Sequence, residues 1–154
     1  MRPFPLDTYL KQITGFYEFL AGLEDIADTL TSADTWTIRN HVAHLIDSAS
    51  NNHQRFVRLQ LSSSIVFPGY EAEPWVSVSG IKQMDFGQLI LLWKLYNEYL
   101  LEVIRTIPDD CLLHTWQPET GGTPRTLDFL VQDYYAHMRI HEKMIGKIAE
   151  ACFR

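Results

Sequence analysis

Trp36-Thr37-Ile38-Arg39-Asn40-His41-Val42-Ala43-His44-Leu45-Ile46-Asp47 is the stretch on which the fold turns. Thr37 stands where a helix N-cap is needed, because its side-chain oxygen can accept one of the amide N–H groups that the first turn leaves unpaired. Ile38, Val42, Leu45 and Ile46 then recur at three- and four-residue steps, and Phe56, Val57 and Leu61 continue the pattern. This predicts a helix from the Thr37 cap to about Leu61, with one apolar stripe interrupted by polar residues. An amphipathic helix of that length is stabilised mainly by burying its stripe against other elements.

The neighbouring segments supply those partners. On the N-terminal side, Thr31-Ser32-Ala33-Asp34-Thr35 is a polar break. Before it, Leu10, Ile13, Phe16, Tyr17, Leu20, Leu23 and Ile26 predict a helix from about Asp7 to Asp28, weakened slightly by Gly15 and Gly22. On the C-terminal side, residues 62 to 85 carry Ser62-Ser63-Ser64, Pro68-Gly69, Pro74 and Gly80 and show no period. A connection of that length is a functional loop or a crossover. Asp85 is placed to cap a third helix through Phe86, Leu89, Ile90, Trp93, Tyr96, Leu100 and Ile104 to about Ile107, and Pro108 stops it. Residues 108 to 124, with Pro118, Gly121-Gly122 and Pro124, read as loop. Thr126 caps a last helix to about Cys152 through Leu127, Leu130, Val131, Tyr134, Met138, Ile145 and Ile148. Strand signals are almost absent. The expectation is an all-α four-helix bundle forming one domain over residues 1–154, with a long crossover between helices two and three.

Composition narrows the function classes. Thirteen basic and nineteen acidic residues in 154 give a net charge of −6. No tract of five or more basic residues occurs, so no nucleic-acid partner is expected. No uncharged apolar run approaches the ~20 residues that span a membrane. The opening Met1-Arg2-Pro3-Phe4-Pro5-Leu6-Asp7 lacks the apolar core of a secretory leader. Cys111 and Cys152 share no CxxC spacing and read as small apolar fillers. A cytoplasmic protein is the expectation.

Chemistry concentrates in the histidines. His137 and His141 are spaced i, i+4 on the last helix, so both rings leave one face. His41 and His44 form an i, i+3 pair on helix two. One histidine from helix two with two from the last helix would give three ligands and leave positions open for water or substrate, as catalytic sites do. Spacing alone leaves a second reading, hydrogen-bonded histidines without a metal. The residues between His137 and His141 lack the Glu of an HExxH protease, and the absence of any Glu-x-x-His removes a ferritin-type di-iron site. His53 and His114 have no partner at useful spacing and read as surface residues.

The Trp36–Asp47 stretch, continuing through Asn51, Arg55 and Phe56, closely resembles the second-helix motif of the DinB-like superfamily. Tyr70-Glu71-Ala72-Glu73-Pro74-Trp75 is similar to the tyrosine, acid and tryptophan run of its YfiT and bacillithiol S-transferase branch. Thr126-Leu127 and His137-Met138-Arg139-Ile140-His141 stand where that family opens its last helix and places its later ligands. The resemblance implies an up-down-down-up bundle, a bacterial protein and a metal triad of His44, His137 and His141. His41 is then a cavity-lining or packing residue. A further histidine that many relatives carry before the last ligand is Ile140 here, so no general base is assigned. Asp47 and Asp133 are candidates to orient a ligand imidazole, Arg55 to meet an anionic substrate group, and Asn51, Tyr70 and Trp75 to line a pocket. Each also has an ordinary structural reading, as an ion pair or a loop anchor.

The resemblance implies a zinc or nickel ion that activates either a low-molecular-weight thiol such as bacillithiol, for S-transfer, or a water, for hydrolysis. The substrate would be a small electrophilic molecule. A bundle that binds metal without catalysis is the alternative, and a homodimer is expected from the family.

Overall fold

The computed structural model describes residues 4–31 and 35–154. The first three residues, and Ser32-Ala33-Asp34 of the polar break, lie outside the described residues. Four long helices form the bundle: α1 (Leu6–Ala21), α2 (Ile38–Leu61), α4 (Phe86–Arg105) and α5 (Leu127–Cys152). A short helix, α3 (Ala72–Val78), lies in the connection between α2 and α4. The caps read from the sequence are made. Thr37 Oγ1 accepts from the Asn40 N–H at 3.2 Å, Asp85 Oδ1 from Gln88 at 2.9 Å, and Thr126 Oγ1 from Phe129 at 3.2 Å.

Three expectations are corrected. Helix one ends at Ala21, not near Asp28, and the chain turns once as a 3₁₀ segment at Glu24–Ile26. Gly22 closes it, its N–H reaching the Phe19 carbonyl at 3.2 Å. Leu23 and Ala27 beyond the end are still buried, so the apolar spacing ran on after the helix stopped. The connection from 62 to 85 is not unstructured: it holds β1 (Ser64–Val66), α3 and a 3₁₀ turn at Ile81–Gln83. Pro74, read as loop punctuation, sits in the first turn of α3, where its missing N–H has no intrahelical acceptor to lose. Finally, a small sheet exists. β1 pairs in parallel with β2 (Thr115–Gln117), which pairs antiparallel with β3 (Arg125–Thr126). Strands of two or three residues are too short to show alternation, and the partners of β1 stand about fifty residues away.

The sheet ties the two long connections together at the far end of α2. Arg39 near the start of α2 reaches the Met84 carbonyl at 2.6 Å, just before α4 begins, and His53 further along meets Tyr96 at 3.1 Å. Those contacts run in step, so α2 and α4 lie side by side in the same direction. Contacts from α2 to α5 run the other way, His41 to His141 and His44 to His137, so that pair is antiparallel. α1 closes the ring by packing on α4, where Phe16 meets Trp93 edge-on at 5.0 Å, and on α5, where the Tyr9 and Tyr135 rings stack at 3.6 Å.

Trp93, Phe56, Leu89, Leu100 and Ile13 fill the centre. One polar pair lies among them. Tyr134 donates its hydroxyl to Asn97 Oδ1, and Asn97 in turn donates to the Trp93 carbonyl at 2.8 Å, so both groups are paired where water is excluded. Among the described residues, no helix is long and apolar enough to cross a membrane.

Candidate metal centre

The antiparallel pairing of α2 and α5 brings the three predicted histidines to one point. His44 is buried on the stripe that α2 turns toward α5, and His137 and His141 occupy successive turns of α5. The Nε2 atoms of His44 and His137 lie 3.2 Å apart, and those of His137 and His141 lie 3.1 Å apart. Three ring nitrogens, one from each residue, fall within 4.8 Å of one another. Nitrogens at about 2.0–2.1 Å from one tetrahedral zinc stand about 3.3 Å apart, so the spacing of the three rings fits a ligand set, while also lying within hydrogen-bond range. The donor set also fits: neutral imidazoles suit zinc and nickel, and three of them leave positions open.

Electrostatics favour the uncharged rings that a metal requires. Burial pushes the His44 imidazole down to about 4, with help from the charges of His137 and His41. Burial, then His137, His44 and His41, push His141 down to about 3. Burial also lowers His137, against a raising influence of Asp133. His44 Nδ1 is buried without a hydrogen-bond partner.

His41 is part of this cluster, though not of the triad. Its Nδ1 lies 2.9 Å from His141 Nδ1. Hydrogen bonding on that side of the His141 ring leaves Nε2 to face the cluster, the usual way an outer group fixes a ligand tautomer. Trp36 covers the rings, with centroids 5.4 Å from His41 and 5.3 Å from His44, and its indole N–H is held by Glu73 of α3 at 3.2 Å. The crossover thereby folds back over the site.

The other predicted residues divide. Tyr70 lies beside His44 at 6.1 Å between ring centres, and burial raises its hydroxyl. Trp75 packs against Tyr70 with tilted rings 5.2 Å apart but is 42% exposed, so it braces Tyr70 rather than lining the cavity. Asn51 is buried, but its amide donates to the Asp47 carbonyl of its own helix at 2.9 Å. Among the described residues, Asp47 makes no side-chain bond to a histidine: its Oδ2 is buried and has no partner there, and desolvation raises its carboxyl to about 6. Asp133 is exposed and acts on His137 through space. Arg55 is buried with its guanidinium 4.1 Å over the Trp116 ring. His53 and His114 are not free surface residues, since His114 Nδ1 lies 2.6 Å from the Leu59 carbonyl and His53 contacts Tyr96.

A cavity of about 140 Å³ opens beside His137, lined by Ser48, Asn52, Arg55, Tyr70 and Asp133 among others. Ser48 and Asn52 were not picked out from the sequence. Their spacing of four and eight residues after His44 was the available signal, since it puts all three on one face of α2.

Bundle and cluster together define a four-helix protein with a convergent three-histidine centre. No protein-family model matches the chain. It is similar over 93% of its length to a Bacillus cereus (strain G9842) protein named as an inferred metal-dependent hydrolase, at 25% identity and covering 84% of that protein. A Bacillus mycoides (strain KBAB4) protein of the same name is 25% identical over 94% of the chain and 86% of its own. In structure the chain is similar to YfiT from Bacillus subtilis, described as a probable metal-dependent hydrolase with an unusual four-helix bundle topology. The TM-score is 0.80 at 19% identity, covering 96% of this chain and 87% of that one. The sequence likeness supports the DinB-like, YfiT-type family, and the structural likeness gives the four-helix fold expected of it.

Proposed function

We propose that the protein is a metal-dependent hydrolase of a small electrophilic substrate, with His44, His137 and His141 holding one zinc or nickel ion. The observation that carries this reading is the convergence of three Nε2 atoms, at 3.1 and 3.2 Å, from two facing helices. A divalent ion held by three imidazoles acidifies water and polarises an ester or amide carbonyl. The chain's own residues do the rest. His41 orients His141, Trp36 and Tyr70 shield the rings, and the cavity beside His137 receives the substrate. The names of the relatives favour hydrolysis, whereas S-transfer to a thiol such as bacillithiol draws on the family resemblance alone.

The test is metal content of protein purified without added metal, compared with a His137→Ala, His141→Ala variant, followed by an ester and amide screen. One equivalent of metal in the wild type, absent from the variant, together with metal-dependent turnover, is the expected result. Failure of the wild type to take up zinc or nickel on titration would overturn the proposal.

A further inference from the structure

Two arginines of α2 are buried, and their surroundings differ. Arg39 is 9% exposed and fully engaged: its Nε and Nη2 donate to Asp28 at 2.7 and 2.9 Å, and Nη1 donates to the Met84 carbonyl at 2.6 Å. Arg55 is 8% exposed and, among the described residues, makes only one long bond, from Nη1 to Asn52 Oδ1 at 3.4 Å. Its Nε is buried without a partner. Among the described residues, no carboxylate lies within ion-pair distance of it; Asp133, which lines the same cavity, acts on it only through space. Stacking on Trp116 explains where the guanidinium plane lies but uses none of its five in-plane N–H donors. A buried guanidinium whose N–H donors lack direct acceptors is destabilising, so its unfilled donors are suited to a partner that arrives from outside.

Arg55 borders the cavity that also touches His137. Side chains on a helix lean toward its N-terminus, so the long Arg55 stem is directed back along α2 toward the histidines. We infer that Arg55, with Asn52 and Tyr70, is the binding subsite for the carboxylate of a small monocarboxylic substrate whose reactive group lies at the histidine cluster. A carboxylate matches the guanidinium fork. A dianionic phosphate fits less well, because the Asp133 side chain lines the same cavity. That the bound acid is the substrate rests on the hydrolase reading above, whereas the subsite itself does not.

The test uses the full chain in metal-free and zinc-loaded form, titrated with propionate and with its neutral isostere propionamide. The Arg55 Nε–H and Trp116 indole N–H resonances in ¹H–¹⁵N spectra report binding. Propionate should move both signals and bind at least tenfold more tightly than propionamide in either form. Arg55→Gln should abolish the preference, and Arg55→Lys should retain only part of it. Equal affinity of wild-type protein for the two probes would overturn the inference, and so would an undiminished preference in Arg55→Gln. If Arg55→Gln fails to fold, the wild-type comparison still decides. A preference that persists without any zinc uptake sustains the subsite while removing the metal reading. Zinc uptake without a preference leaves the metal reading and makes Arg55 a structural cation.

Discussion

Asp47→Asn should stabilise the metal-free protein. Asp47 Oδ2 is buried without a partner, and desolvation raises its carboxyl from 3.8 to about 6. That gap corresponds to about 3 kcal/mol if nothing screens the charge. The side chain is only half-buried, so solvent removes most of that figure and about 1 kcal/mol remains. The sign follows from linkage. A carboxyl whose folded value is raised imposes no penalty below 3.8, and stability is lost as pH rises through about 6. Asparagine cannot ionise and keeps the backbone carbonyl that Ser50 and Asn51 use. Urea unfolding after chelation should therefore show the variant more stable by about 1 kcal/mol at pH 8, with the difference vanishing as pH falls below 3.8. A variant less stable than wild type at pH 8, or a difference independent of pH, would refute the reasoning.

Other perturbations probe the rest of the molecule. Tyr134→Phe leaves Asn97 Oδ1 unpaired where nothing is exposed, and should cost about 1–3 kcal/mol in urea unfolding. Trp93→Ala empties the bundle centre and should cost about 3–5 kcal/mol, with the melting temperature as readout. Burial lowers His44 to about 4 and His141 to about 3, so the metal-free protein should lose stability as pH falls from about 6.5 through that range. Denaturation midpoints that stay flat across the window would contradict it. The expected homodimer is checked by sedimentation of the wild type, where a monomer would end the expectation.

Much of this was legible before any coordinates. The capping residues gave the starts of α2 and α5, and the amphipathic period their approximate ends, because both signals are local and a helix is held by bonds four residues apart. The i, i+4 spacing of His137 and His141 put two rings on one face by the same local geometry. The assignment of His44 as the third member came from the family motif, and helix spacing alone left His41 equally placed. The end of α1 was misjudged because burial of Leu23 and Ala27 continues the pattern through a different backbone. The sheet was missed because its pairing is made between segments far apart in the chain.

What the sequence by itself determined is the set of helices, their caps and the histidine pair that one helix can present. Only the tertiary structure brought the His44 ring against His137, set His41 against the Nδ1 side of His141, and buried Arg55 beside the cavity that touches His137 with no carboxylate of the described residues in ion-pair contact. The physical reason is that convergence and burial depend on how separate helices pack. A period along one helix says which face is apolar, but not what the neighbouring helix sets against it.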